Sequence, residues 1–210
     1  MKISQIKLDP SGYIFNNIRV RQMRLNASYH TFIFRILLTL KNVTHGTGVR
    51  TFGKTTINRH HMSSISIGDN VVFRSSFKSN LIGLNRRCMI STLNNVATIE
   101  IGSGCGLSAT VIGAAEKIVL GKNVMVGANT LITDTDWHNI HPDLRRLPCN
   151  NSKPIFIDDN VWLGINCVVL KGVHIGKNSV IGANSVVVKD IPENVIAGGN
   201  PCRVIKGIDI

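Results

Sequence analysis

The stretch IFIDDNVWLGINCVVLKGVHIGKNSVIGANSVVVKDIP, residues 155–192, returns to the same pattern every six residues. Its hexads run from Ile157 to Pro192 and set an aliphatic side chain at one fixed point: Ile157, Leu163, Val169, Ile175, Ile181 and Val187. Three residues later stands Asn160, Asn166, Gly172, Asn178, Asn184 or Asp190. A helix repeats near 3.6 residues and a simple strand near 2, so neither produces this period. A short strand followed by a tight turn does. The aliphatic residue then faces a core. The residue two before it (Ile155, Val161, Cys167, Val173, Ser179 or Ser185) shares that face by strand alternation. The Asn/Gly/Asp position fits a turn residue with positive φ, where those types cost least. One such unit cannot bury its apolar side alone, but a stack can. The pattern therefore predicts an all-β chain, a solenoid of six-residue repeats wound as a parallel β-helix.

Working outward, the register begins at ISIGDNVVF, with Ile67 inward and Asn70 turning. It is lost between 77 and 98, which reads as an insertion. It returns at Ile101 and Leu107, slips by one residue near Ala114–Lys117, and resumes at Leu120, Val126 and Ile132, with Asn123 and Asn129 as turns. It then stops for TDTDWHNIHPDLRRLPCNNSK, residues 133–153, and ends near Val187, where IPENVIAGGNPCRVIKGIDI closes the chain. The organisation expected is a partly helical cap over 1–56 and a β-helix over 57–210. Long loops without structure of their own are usually functional, and solenoid insertions collect on the binding face. The loop at 133–153 is also chemically loaded, with Asp134, Asp136, Trp137, His138, His141, Arg145 and Arg146.

The chain has 210 residues, of which 43% are hydrophobic and few aromatic, as a core of Val, Ile and Leu requires. The cysteines (Cys88, Cys105, Cys149, Cys167, Cys202) show no CxxC spacing, and Cys167 occupies an inward hexad position as a small apolar filler. Their odd number and the lack of an apolar leader in MKISQIKLDPSGY favour a reducing cytoplasm. The net charge of +12 calls for anionic company. Nucleic acid is discounted, because no binding motif is visible and no aromatics interleave with the basic residues. FIFRILLTL, residues 32–40, is too short to span a bilayer, and Arg35 interrupts it. Residues 13–41 form a basic amphipathic segment, read first as the cover that a solenoid end needs and second as a peripheral membrane-surface contact.

Four features together resemble the hexapeptide-repeat acyltransferases, in the branch of the maltose and galactoside acetyltransferases and the polysaccharide O-acetyltransferases. They are the register, TDTDWH in a loop between coils, NVWLG at 160–164, and VVKDIPENVIAGGNPCRVIK at 187–206. The resemblance spans about 57–206. It implies a left-handed β-helix, a homotrimer, acetyl-CoA as co-substrate in a groove between neighbouring subunits, and no metal. It also makes His138 the catalytic base. Imidazole chemistry suits that role, since acetyl transfer from a thioester to a hydroxyl needs a group that takes a proton and returns it. A carboxylate or a backbone carbonyl can fix the tautomer of such a base. Asp134 and Asp136 are the local carboxylates, and the sequence does not choose between them.

For the cofactor, Trp162 should point outward, one residue before inward Leu163, and NVWLG lies in relatives beside the cofactor's reactive end. Gly164 belongs to that motif. Ile165 matches a cofactor contact that is commonly a small residue in relatives. Ala183, Val188 and Lys189 match the pantetheine and nucleotide channel, and Arg203 and Lys206 match basic positions near the phosphates. The acceptor side departs from the sugar acetyltransferases. Where those offer Asn and Asp, this chain has Ser108 and the pair Ala114–Ala115. The resemblance thus points to a carbohydrate within a surface polysaccharide, or on a lipid or nucleotide carrier, more than to a free galactoside or maltose.

Other readings stay open at this level. N-acetylation of an amino sugar would use the same groove. A γ-type carbonic anhydrase would need three zinc-binding histidines, for which His138, His141 and His174 suffice in number. A non-catalytic scaffold or ice-binding helix would want a regular Thr array, which the chain lacks.

Overall fold

A computed structural model describes residues 9–147, 149 and 151–209. Residues 1–8 of the expected cap, 148 and 150 of the long loop, and 210 lie outside them. The chain is a left-handed parallel β-helix with three walls. The first wall stacks Thr44–His45, Ser64–Ile67, Thr98–Ile101, Lys117–Leu120, Ile155–Ile157 and His174–Ile175. The second stacks Arg50–Phe52, Val72–Arg74, Gly106–Ser108, Met125–Val126, Trp162–Leu163 and Val180–Ile181, and ends in an antiparallel pair, Val195–Gly198 with Arg203–Gly207. The third stacks Thr56–Asn58, Met89–Thr92, Val111–Ala114, Leu131–Thr133, Val168–Val169 and Val186–Val187.

The register is the one the hexads predict. Val126, Leu163, Ile181 and Ala197 pair in succession along the second wall, all of them buried. Both inward positions of the hexads are buried throughout, Cys167 included. Each fully buried Val, Leu or Ile contributes about 1.5–3 kcal/mol relative to exposure, so the stack as a whole holds the coil. Ser179 and Ser185, the polar inward residues, donate to the carbonyls of Pro192 and Gly182 at 2.7 and 2.6 Å, so neither hydroxyl is buried without a partner.

The turn positions behave as expected at Asn160, Asn166, Gly172, Asn178 and Asn184, whose φ values lie between 58° and 77°. Asp190 departs from the pattern. It is not left-handed, and its carboxylate instead accepts the His174 backbone N–H at 2.8 Å. At the corner between the first and second walls the asparagine side chains bond to one another along the axis. Asn123 donates to Asn160 (3.3 Å), Asn160 to Asn178 (3.1 Å) and Asn178 to Asn194 (2.8 Å). Where this column carries Gly104, φ is +78° and an added Cβ would lie 2.3 Å from the Asn123 side-chain oxygen, so a larger residue there would have to displace the Asn123 amide.

The coils begin at Thr44, ahead of the boundary expected at 57. The early coils escaped the hydrophobic pattern because part of their core is polar. Thr51, Thr55 and Ser75 are buried and chained through their hydroxyls at 2.7 and 2.8 Å, and Ser75 accepts the Cys88 N–H at 3.0 Å. Before them lies helix α1, Pro10–Leu40. Asp9 caps it by accepting the Gly12 N–H at 2.9 Å, with Pro10 in the first turn. Its last turns cover the open end: Phe34 and Leu38 are buried, and Phe34 meets Phe73 edge to face at 5.5 Å. Thr31 accepts the Thr51 N–H at 2.9 Å and Arg35 donates to the Val49 carbonyl at 3.1 Å, which satisfies part of an otherwise open strand edge.

Candidate active site

The loop at 133–153 leaves the third wall after Leu131–Thr133 and returns to the first wall at Ile155. Its neck is closed. Thr135 and Ser152 form an antiparallel bridge, and the Lys153 N–H donates to the Asp134 carbonyl at 2.9 Å. The Asp134 carboxylate is buried and accepts the N–H groups of Ala115 and Glu116 at 2.6 and 2.8 Å. The register slip at 114–117 therefore has a use: it presents two backbone donors to the root of the loop. Burial pushes the Asp134 carboxyl above its usual range, against the backbone donors of Ala115, Glu116 and Lys117 that pull it down. Asp136 pairs with Lys171 and accepts from Asn151 at 2.6 Å. Both aspartates thus secure the neck, and neither is placed to orient His138, contrary to the expectation for them.

Trp137 has φ of +65°, uncommon for a bulky residue, and its indole N–H donates to the Thr133 hydroxyl at 3.0 Å. Its ring lies where a Cβ on Gly113 would come within 3.2 Å, so that glycine makes room for it. This seat sends His138 outward, where it is exposed. The His138 Nδ1 lies 3.1 Å from the Arg145 carbonyl. A carbonyl only accepts, so Nδ1 carries the proton and Nε2 keeps its lone pair. The backbone carbonyl fixes the tautomer in the place of an aspartate. Asn139 holds the loop's fold by donating to the carbonyls of Leu144 and Leu147. His141 is exposed, 3.8 Å from Asp143, and His174 Nε2 lies 2.9 Å from Asp158. Among the described residues of one chain, no group of three or more His, Cys, Asp or Glu could hold a metal ion.

A groove runs along the second wall and the corner beyond it. Trp162, Gly164, Ile165 and Ala183 line it, with Gly127, Ala128, Val180 and Gly182. Four of the residues expected at the cofactor are thereby brought together. Trp162 is outward and half exposed, as expected. Gly164 is held to glycine by its neighbour coil, since a Cβ there would lie 2.7 Å from the Ala183 backbone nitrogen. Ile165, where relatives commonly carry a small residue, packs on a satellite core of Leu84, Ala109 and Ala128. Leu84 belongs to the insertion between Arg74 and Met89, so the larger side chain anchors a segment that the hexad pattern did not explain.

That insertion supplies two groove residues the sequence reading missed, Asn80 and Ile82. Asn80 donates to the Ser108 hydroxyl at 3.2 Å. Ser108 itself lines an adjoining hollow with Arg74, Gly106 and Met125, and Trp162 and Gly127 border both spaces. The signal was faint: a polar residue flanked by exposed Leu81 and Ile82 in a stretch without register. Arg203 and Lys206 lie beyond the groove's other end, exposed on the closing strand, where Arg203 pairs with Gly198 and Lys206 with Ile196. Val188 and Lys189, exposed after the last strand of the third wall, do not line the groove within one chain, and neither does His138.

Comparisons with known proteins fit this architecture. The family model described as "Bacterial transferase hexapeptide (six repeats)" matches residues 154–189. The galactoside O-acetyltransferase of Lactococcus lactis subsp. lactis (strain IL1403) is 40% identical over 145 residues, covering 68% of this chain and 63% of its own length. That of Escherichia coli (strain K12) is 48% identical over 92 residues, covering 44% of this chain and 45% of its own. The chain thus spans less than two thirds of the length of these curated relatives. Among solved structures, AntD, an N-acyltransferase from Bacillus cereus in complex with dTDP and 3-hydroxybutyryl-CoA, aligns with a TM-score of 0.64 at 19% identity. That alignment covers 83% of this chain and 88% of that one, a likeness of fold. From its register, its closing segment and these sequence matches, the chain belongs to the hexapeptide-repeat acyltransferase family.

Proposed function

We propose that the protein is an acetyl-CoA-dependent O-acetyltransferase that acts on a carbohydrate hydroxyl in the cytoplasm, in the building of a surface polysaccharide. One observation carries the reading: the matched positions Trp162, Gly164, Ile165 and Ala183 line a single groove on the wall that ends in Arg203 and Lys206. A slender donor with an anionic nucleotide fits that layout. Small residues at Gly182 and Ala183 leave it space, Trp162 walls the reactive end, and the two cations meet phosphates. The galactoside O-acetyltransferases named above support the reaction class.

His138 and the groove sit on different walls, which is the arrangement expected if the working particle is a homotrimer. One subunit then offers the groove and its neighbour the loop. In this reading the donor supplies an acetyl thioester when bound. His138 Nε2 takes the acceptor hydroxyl proton as that oxygen bonds to the acetyl carbonyl carbon. The carbon–sulfur bond breaks, and the same imidazole delivers the proton to the departing sulfur. Asn80 and Ser108 stand at the acceptor end, where their side chains can meet sugar hydroxyls.

Thiol release from acetyl-CoA, measured against a panel of sugars, oligosaccharides and nucleotide sugars, tests the proposal. The expected result is release with a hydroxyl acceptor and a product that alkaline hydroxylamine cleaves. A hydroxylamine-resistant amide would move the assignment to an amino sugar, and no release with any acceptor would overturn it.

A further inference from the structure

Helix α1 carries two apolar stripes, and the solenoid uses one. At 100° per residue, Val20, Met23, Ala27, Thr31, Phe34 and Leu38 share the side that is buried or half-buried. The opposite side shows Ile18, Leu25, Tyr29, Phe32, Ile36 and Leu40 to solvent, with Phe32 65% and Leu40 76% exposed. Phe15, 72% exposed, extends the stripe toward the helix start. An apolar strip of this length left open on a folded surface marks an interaction site. Its borders are cationic. Arg21 lies along one edge with Arg24 a turn behind it, and Arg19 lies along the other. From Pro10 to Leu40 there are four arginines and no acidic residue.

Two occupants suit the apolar spacing. A second copy of the helix could pack along it, since steps of three and four residues also make a coiled-coil seam. The flanking positions of that seam, however, hold Arg19, Arg21 and Arg35. Copies packed there would gather these cations along the seam with no carboxylate from Pro10 to Leu40 to pair them, which disfavours association. An anionic bilayer meets the same face without conflict. The apolar strip enters the boundary between headgroups and acyl chains, and the bordering arginines reach the lipid phosphates. Arg35 is committed to the part-buried Val49 carbonyl, whereas Arg19 donates only to the exposed Asn16 side chain at 2.9 Å, an interaction open to exchange, so Arg19, Arg21 and Arg24 can serve that purpose. Among the described residues no helix is long and apolar enough to cross a membrane, so the contact is one of lying on the surface.

We infer that the outward face of the N-terminal helix docks the protein on the anionic headgroups of a lipid bilayer. This docking is independent of the transfer reaction and places the enzyme where a lipid-carried glycan would be presented.

The test is co-sedimentation of the full chain with vesicles of phosphatidylcholine, with and without phosphatidylglycerol, at low and high salt. Binding is expected with phosphatidylglycerol, weakening as salt rises. Leu25→Ser with Phe32→Ser should reduce partitioning about tenfold or more, and Arg19→Gln or Arg21→Gln about fivefold each. Light scattering should find the particle mass of all these variants unchanged, because in this inference the face meets lipid and not another subunit. Absence of binding to phosphatidylglycerol vesicles would overturn the inference, as would equal binding to phosphatidylcholine alone. A changed mass in the Leu25→Ser, Phe32→Ser variant would overturn it in favour of helix pairing between copies.

Discussion

At the scale of single residues, the state of His138 is set by what its other nitrogen touches. The Arg145 carbonyl commits Nδ1 to donating, so Nε2 is the atom left to accept a proton. His138→Ala is expected to lower turnover by about two to four decades while donor affinity stays near wild type. His138→Asn should do no better, because an amide does not take up the proton. Thiol release measured beside donor binding checks this, and near-normal turnover in His138→Ala would sink the mechanism. The cysteines make a second prediction. Burial pushes the Cys105 thiol up to about 11 and raises those of Cys88, Cys167 and Cys202, while Cys149 is only half-buried. At mildly alkaline pH the native protein should react with a thiol reagent first at Cys149, and at the others only after denaturation. The sign for stability follows. A raised folded value costs nothing below the ordinary thiol range, and stability falls as pH rises from there toward about 11, because the unfolded thiol ionises first.

Among the elements, the coils stack so closely that some positions admit no side chain. Gly164→Ala would set a methyl 2.7 Å from the Ala183 nitrogen, against backbone that has no freedom to give way. A loss of about 1–3 kcal/mol is expected, read as a lowered denaturation midpoint. The same tight geometry explains how much of the fold was legible. A hexad tells of itself through one aliphatic and one left-handed residue, and from Ile157 to Val187 both were there to be read. It fell silent where another interaction replaced one of them. Thr51, Thr55 and Ser75 fill part of the early core with hydroxyls that bond each other, so the aliphatic beat of Val43, Val49 and Ile57 is interrupted in the first coils. Asp190 ends the series by capping His174 rather than by turning. In the sequence Asp134 reads as a carboxylate near a histidine, but its partners are backbone groups of Ala115 and Glu116 in the preceding coil. Backbone donors carry no letter in a sequence.

For the molecule as a whole, the proposed site is divided. Trp162, Gly164, Ile165 and Ala183 were legible through a motif and do share a groove. Asn80 was not, because its meeting with Ser108 depends on how an irregular insertion folds over the second wall. The division leads to an assembly prediction: light scattering should give three times the chain mass of 23.0 kDa, and a stable, active monomer would contradict it. Arg203→Ala should weaken acetyl-CoA binding by roughly 1–3 kcal/mol, with a smaller effect on a truncated thioester that lacks the nucleotide. Equal losses for both donors would remove Arg203 from the phosphate end.

The closed neck of the loop at 133–153 bears on how such a molecule changes over time. With Thr135 bridged to Ser152, Ile118 pairs with Ile155 across the excursion as though the intervening chain were missing. Insertions and deletions beyond Asp136 and Trp137, which still touch the coils at Lys171 and Gly113, are expected to leave the stacking in place. Natural selection therefore has room to rewrite the outer part of this loop without reopening the question of how the chain folds.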